Sequence, residues 1–238
     1  MPSLLITGAN RGLGFGLTKL YAADGWRVFA CCRDPGKAKD LSALAAQSGG
    51  KVTVHALDVE NHATIDALAK ALKGQPIDVL FNVAGYYGAK IVSEPGGLQE
   101  FGTSDYKEWD KIYRINVMGV MKMCEAFVDN VAASTHKKIV NMSSIIGSIG
   151  ANEIGFMYPY RASKAAVNAI SKAMANELKP RGITVIPLHP GWVRTEMGGP
   201  NADIDTDTSV TGMKKVVDGL KPTDSGRYMV YDGSELPW

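Results

Sequence analysis

Tyr160 and Lys164 stand four residues apart in YPYRASK, sixteen residues after Ser144. On a helix, positions i and i+4 share a face, so this spacing sets a phenol beside an ammonium. A nearby ammonium favours phenolate and lowers the phenol's pKa from about 10, which suits a general acid near neutral pH. Pro159 and the alanine-rich run after Tyr160 predict a helix from about 160. Tyr86 and Lys90 repeat the same spacing, but in a Gly-rich loop, where it reads as a coincidence of composition. Ser143 and Ser144 close a β-type run, and a hydroxyl there can bond a carbonyl oxygen as charge develops on it. Taken alone, a serine at a strand end is more often a helix or turn cap. Serine nucleophile chemistry finds no support, because GxSxG is absent and no Asp/His pair accompanies an elbow. Asn116 falls inside a long helical stretch, where asparagine is unfavourable. It can bend that helix, hold a water near Lys164, or simply face solvent.

A second constellation opens the chain. Thr7-Gly8-Ala9-Asn10-Arg11-Gly12-Leu13-Gly14 joins a first apolar strand to a first helix. Glycines permit a tight turn and close backbone approach to a pyrophosphate, and a helix N-terminus offers free N–H groups to the anion. The G-x3-G-x-G spacing departs from G-x-G-x-x-G, so the strand–turn–helix context carries the assignment to a dinucleotide site. A ribose-binding acid is expected near the end of the second strand, which here reads Cys31-Cys32-Arg33-Asp34. Arg33 and Arg11, with Lys37 as a third charge, suit a ribose 2′-phosphate, whereas Asp34 is the candidate acid of the alternative; NADP(H) is favoured over NAD(H). Asp58, in LDV with Val59, ends the third strand where it can accept a bond from an adenine amino group. Asn82-Val83-Ala84-Gly85 ends the fourth, with Gly85 allowing backbone close to the adenosine ribose. Asn82 is equally a structural turn residue.

These groups need a frame. Apolar runs at 4–7, 26–32, 51–57, 77–83, 137–143 and 183–189, with a short last one at 227–231, predict strands. Helical stretches fall near 12–24, 36–47, 61–73, 104–131, 160–179 and 208–220. The alternation predicts an α/β fold: one doubly wound sheet of about seven mostly parallel strands with helices on both faces. Segments 94–97 and 197–207 are loops within one domain; the second follows a strand's carboxyl end, where ligands bind, and reads as a lid or as a passive surface loop.

Composition narrows the function classes. Net charge of +2 without a dense Lys/Arg run argues against nucleic acid as partner. No apolar stretch approaches the ~18 residues of a membrane span, and the N-terminus lacks signal-peptide features, so a cytoplasmic protein is expected. Three cysteines without metal spacing fit a reducing compartment and no metal site. Adjacent Cys31 and Cys32 should point to opposite faces of a strand.

Taken together, TGANRGLG, LDV, NVAG, RINVMG, IVNMSS, YRASK and HPGWVRT occur in order over nearly the full chain. In this the chain resembles the classical short-chain dehydrogenase/reductase family. Its ending, LHPGWVRTEMGGPNA through DGSELPW, is most similar to the C-factor/sniffer-like carbonyl reductase branch. The resemblance implies a single Rossmann-type domain, with a nucleotide-binding part at about 1–135 and a catalytic part at about 136–238. It implies Tyr160 as proton donor, Lys164 as the residue that lowers the phenol's pKa and bonds the nicotinamide ribose, Ser144 as the group orienting the carbonyl, and Asn116 as support for a water-linked relay. Gly8, Asn10, Arg11, Gly12, Leu13 and Gly14 would hold the phosphates, and Pro190, Gly191, Val193 and Thr195 would lie along the nicotinamide. The Ser–Tyr separation is wider here than in many members, an insertion expected to reshape the substrate entrance. Ile145, Phe156, Tyr158, Trp192 and Met197 are the expected pocket residues, suited to an aldehyde, ketone or quinone; each is equally a packing residue. The implied activity is NADPH-dependent carbonyl reduction. The alternative is an NADP(H)-binding sensor of the C-factor type with little turnover. Sugar-nucleotide epimerase chemistry is disfavoured, because little chain remains after the sixth strand for a second subdomain. A homodimer or homotetramer is what family relatives suggest, although the apolar positions of 104–131 and 160–179 equally suit internal core.

Overall fold

The computed structural model describes all residues, 1–238. Seven strands form one sheet: β1 (Ser3–Thr7), β2 (Arg27–Cys32), β3 (Val52–Ala56), β4 (Val79–Asn82), β5 (Lys138–Met142), β6 (Thr184–His189) and β7 (Met229–Val230). Their order is β3-β2-β1-β4-β5-β6-β7, and every neighbouring pair is parallel. The sheet is thus wholly parallel where a mostly parallel one was expected. The order reverses between β1 and β4, which opens a crevice at the strands' carboxyl ends.

Period-two alternation assigns each strand residue to a face. Leu4, Ile6, Ala30, Cys32, Phe81 and Val140 pack beneath α1 (Gly12–Ala23), α2 (Lys39–Gln47) and the last helix, α7 (Thr206–Gly219). Leu5, Phe29, Cys31, Leu80, Ile139 and Val185 pack beneath α3 (His62–Ala71), α5 (Gly119–Ala132) and α6 (Tyr158–Glu177). Cys31 and Cys32 therefore do enter opposite cores, both as free thiols. Burying each such apolar side chain is worth roughly 1.5–3 kcal/mol, so the pattern alone fixes strand register.

Three expected elements change. The single helix near 104–131 is α4 (Tyr106–Tyr113), a π turn over Arg114–Met118, and α5. Asp105 starts α4 by accepting from Lys107 N and Glu108 N. The π turn coincides with Asn116, whose amide is tied to another segment, and such bulges are frequent at functional sites. The last strand, expected at 227–231, shrinks to Met229–Val230, because only two residues find partners on β6. Segment 197–207 loses its last residues to α7, which Asp205 caps. The remainder folds back on the β6 exit: Arg194 N donates to Ile204 O at 2.8 Å, and Ile204 N to Trp192 O at 3.1 Å.

Candidate active site

The crevice is built first from backbone. Thr7, at the end of β1, accepts from Val83 N and Ala84 N at 3.0 Å each, which pins the β4 exit beside the glycine loop. A Cβ on Gly14 would lie 2.2 Å from Gly8 O, so the turn closes only with glycine there. Gly8 itself has φ +69 and lies against Ala84. Helix α1 begins without a side-chain cap and with no acid in its first turn, whereas α3, α4 and α7 are each capped by Asn61, Asp105 and Asp205. Free amides in a cradle too narrow for side chains fit a pyrophosphate.

Asn10, Arg11 and Gly12 are exposed and Leu13 is half-buried on this rim. The guanidinium of Arg11 pairs with Glu196 across the cleft. Arg33 is exposed at the β2 exit. Asp34, the rival ribose acid, is already engaged: it accepts from Gly36 N at 3.1 Å and pairs with Lys37 at 3.0 Å. Lys37 is thereby drawn to Asp34, so the third positive charge expected for a phosphate is compensated. Asp58 lines a cleft of about 510 Å³ with Asn61, Arg114 and Met118, and adjoining Val59 is buried. Asn82 does not offer its side chain to the cleft. It is 2% exposed and donates to Asn141 Oδ1 at 2.9 Å, and Asn141 in turn donates to Ser171 Oγ at 2.9 Å. Its Nδ2 thus finds a partner inside the sheet, while its Oδ1 is buried with none.

The chemical groups converge from three elements. Ser144 follows β5, Tyr160 and Lys164 lie on α6, and Asn116 reaches in from the π turn. Gly147 makes this approach possible, since a Cβ there would sit 2.7 Å from the Lys164 carbonyl carbon. Lys164 is buried and donates to Met142 O at 2.8 Å, with its Nζ 5.6 Å from the Tyr160 ring centroid. Asn116 Oδ1 accepts from Tyr86 N at 2.8 Å, and its Nδ2 donates to Tyr86 O at 2.8 Å and Ser163 Oγ at 3.1 Å. Both amide hydrogens are thus engaged with protein, so a water-linked relay would have to use its backbone. Ser144 Oγ accepts from Ile146 N at 3.3 Å, while Ser143 Oγ donates to Asn168 Oδ1 at 2.5 Å and is buried. The two serines therefore separate cleanly: Ser143 belongs to the core and Ser144 to the cleft. Tyr86 donates to Glu108 at 2.8 Å and Lys90 to Pro95 O at 3.0 Å, so that second Y-x3-K pair does not meet.

One electrostatic expectation is corrected. Burial, with smaller contributions from Tyr87 and Tyr228, pushes the Tyr160 phenol up, while Ser144 pulls the other way. Lys164 does not outweigh that burial: burial brings Lys164 itself down to about 8, and its ammonium is bonded to Met142 O. The phenol thus stays protonated through the neutral range, which is the form a proton donor needs.

The expected pocket residues form a rim. Ile145, Phe156 and Trp192 are each more than two-fifths exposed, and Tyr158 is half-buried with its ring edge-on to Phe101. Trp192 donates to Gly198 O at 2.9 Å, and half-buried Met197 lies on the turn between them. Half-buried Pro190 and Gly191, the latter with φ +84, lead to buried Val193. Thr195 faces Gly12 across the cleft, with its hydroxyl bonded to Val193 O and Gly198 N. Phe156 and Met157 adopt φ +69 and +58, a strained pair at roughly 1 kcal/mol or more each, directly before α6. Sequence reading missed Tyr87, whose buried ring lies 5.0 Å from that of Tyr160. It also missed the Asn82–Asn141–Ser171 chain, although an asparagine in the apolar run IVNMSS was a legible sign of a buried partner.

Comparison with known proteins agrees with this geometry. The short chain dehydrogenase family matches residues 3–205. C-signal of Myxococcus xanthus is 38% identical over 163 residues, 68% of this chain and 93% of that protein. The carbonyl reductase Sniffer of D. melanogaster superposes with a TM-score of 0.89 at 33% identity, covering 100% of both chains. An NADPH-bound carbonyl reductase from chicken fatty liver gives 0.89 at 32% identity, covering 100% of this chain and 99% of that one. The chain is an oxidoreductase that belongs to the short-chain dehydrogenase family, in its carbonyl reductase-like branch.

Proposed function

We propose that this protein reduces a small carbonyl compound with NADPH, with Tyr160 as proton donor. The observation that carries the reading is the meeting of Ser144, Tyr160 and Lys164 at the sheet edge that also bears the glycine cradle. A bound nicotinamide cofactor supplies the hydride; the protein supplies position and protons. Ser144 donates a hydrogen bond to the substrate's carbonyl oxygen and stabilises the charge that develops there. The Tyr160 phenol passes its proton to that oxygen as the carbonyl carbon gains hydride. Lys164, held by Met142 O, keeps a positive charge at hand to stabilise the phenolate left behind. Tyr87 against the phenol ring and Val193 beneath the β6 exit help to exclude water.

NADP(H) is preferred to NAD(H) in this reading because Arg33 stands exposed at the β2 exit, with Arg11 nearby on its surface pair to Glu196, while Asp34 is committed to its own turn. The NADPH-bound structural relative supports the same cofactor. The aromatic and aliphatic rim favours aldehydes, ketones or quinones with apolar substituents. The similarity to C-signal supports a second reading, a cofactor-binding signalling protein without required turnover. NADPH and NADH consumption with a panel of aldehydes, ketones and quinones, beside Tyr160→Phe, separates them. Turnover with NADPH that disappears in the variant is expected. Tight NADPH binding with no turnover on any carbonyl would instead favour the signalling reading.

A further inference from the structure

Arg161 follows the proposed proton donor directly, yet its guanidinium forms no ion pair. It binds only backbone carbonyls. One terminal nitrogen donates to Ile146 O at 3.1 Å, the other to Ile154 O and Gly155 O at 3.2 Å each, and Nε to Phe156 O at 3.4 Å. Three of these carbonyls are consecutive. Carbonyl dipoles brought to one point repel one another, so this arrangement calls for a cation with several fixed donors at its centre.

The same segment carries the strained pair. Phe156 and Met157 both have positive φ without being glycine. Such conformations persist only where the surroundings over-determine them. Three sets of contacts restrain them: the Arg161 guanidinium on 154–156, Met157 N donating to Leu98 O at 2.8 Å, and Arg161 N donating to Met157 O at 2.7 Å. Through Ile146, the guanidinium also joins the turn after Ser144 to the segment before Tyr160. The side chains displayed by the clamped backbone are apolar and exposed, Ile154 at 55% and Phe156 at 41%; Ile145, in the turn that Arg161 also holds, is 41% exposed. A strained, clamped backbone that displays apolar groups beside a reacting centre is built to present a surface.

We propose that Arg161 is a positioning residue that fixes the shape of the substrate mouth by clamping residues 154–157, and thereby sets selectivity for bulky over small carbonyl compounds. This rests on the carbonyl-reductase reading above. Lysine cannot replace it, because an ammonium has three donors and no planar fork to span four carbonyls.

The test uses the full chain as wild type, Arg161→Lys and Arg161→Ala. Hydrogen–deuterium exchange is followed at the Met157 amide, which donates to Leu98 O, and kcat and KM are measured with NADPH for butanal and benzophenone. In both variants exchange at Met157 should accelerate by about tenfold or more while the sheet amides are unchanged. KM for benzophenone should rise about tenfold, with kcat for butanal within about threefold of wild type. Unchanged exchange in Arg161→Ala, or full protection restored by lysine, would overturn the clamp. An equal fall in kcat on both substrates with KM unmoved would overturn its role in selectivity. Should Arg161→Ala fail to fold, Arg161→Lys carries both measurements. If the wild type turns over no carbonyl, the functional reading fails, and the exchange comparison still decides the clamp.

Discussion

Around residues 8–14 the chain withholds side chains and displays backbone; around Ser144 and Tyr160 it buries polar side chains and pairs them. In the glycine loop, uncapped amides and a Gly14 that no other residue could replace leave a charged ligand's site open. At the chemical site, Lys164 is bonded to Met142 O, Asn116 to Tyr86 and Ser163, and Asn141 to Asn82 and Ser171. The first region holds its shape through turn geometry, and its one cation, Arg11, makes only an exposed pair with Glu196. The second holds its shape through hydrogen bonds that are costly to break in a low-dielectric interior. Damage to the first should therefore appear in affinity, and damage to the second in rate and stability.

The sharpest way to break this contrast is Tyr160→Phe. It should lower turnover by roughly a hundred- to ten-thousandfold while NADPH affinity, read by fluorescence titration, stays within a few-fold. Equal losses in both would mean that the two regions are not separable. Gly14→Ala tests the other side: the added Cβ meets Gly8 O at 2.2 Å, so the loop must open. Loss of most cofactor binding is expected, with destabilisation of about 1–3 kcal/mol in urea unfolding. Arg33→Ala should weaken NADPH about tenfold with NADH unchanged, and the difference should shrink as salt rises, because Arg33 is exposed. Equal weakening of both cofactors would remove the 2′-phosphate role.

A pH-dependent effect concerns Lys164 without cofactor. Its folded pKa is lowered to about 8 from the ordinary 10.5. Between those values the unfolded chain holds a proton that the folded chain lacks, so raising pH favours folding. Wild-type stability should therefore rise relative to Lys164→Met between about pH 8 and 10.5, by on the order of 1–3 kcal/mol. A difference that stays flat with pH would show that this lysine keeps its charge in the fold.

Much of the frame was legible, because period-two strands and strand–helix alternation are local properties. Six of the predicted strands coincide with β1–β6 to within two residues at either end. What escaped was set by partners distant in sequence. The π turn at Arg114–Met118 depends on Asn116 meeting Tyr86, thirty positions away. The short β7 depends on how far β6 extends beside it. Asn82 had the right address for the cleft, but its side chain turned inward to Asn141.

By itself, the sequence determined the parallel α/β frame, the phosphate-type turn and the pairing of Tyr160 with Lys164, since each follows from spacing along a few residues. Only the tertiary structure decided which serine faces the cleft, that Lys37 and Asp34 neutralise each other, that burial raises the Tyr160 phenol, and that Arg161 gathers four carbonyls. Burial and hydrogen-bond partnership are properties of surroundings, and those surroundings are assembled from segments that the chain brings together only when it folds.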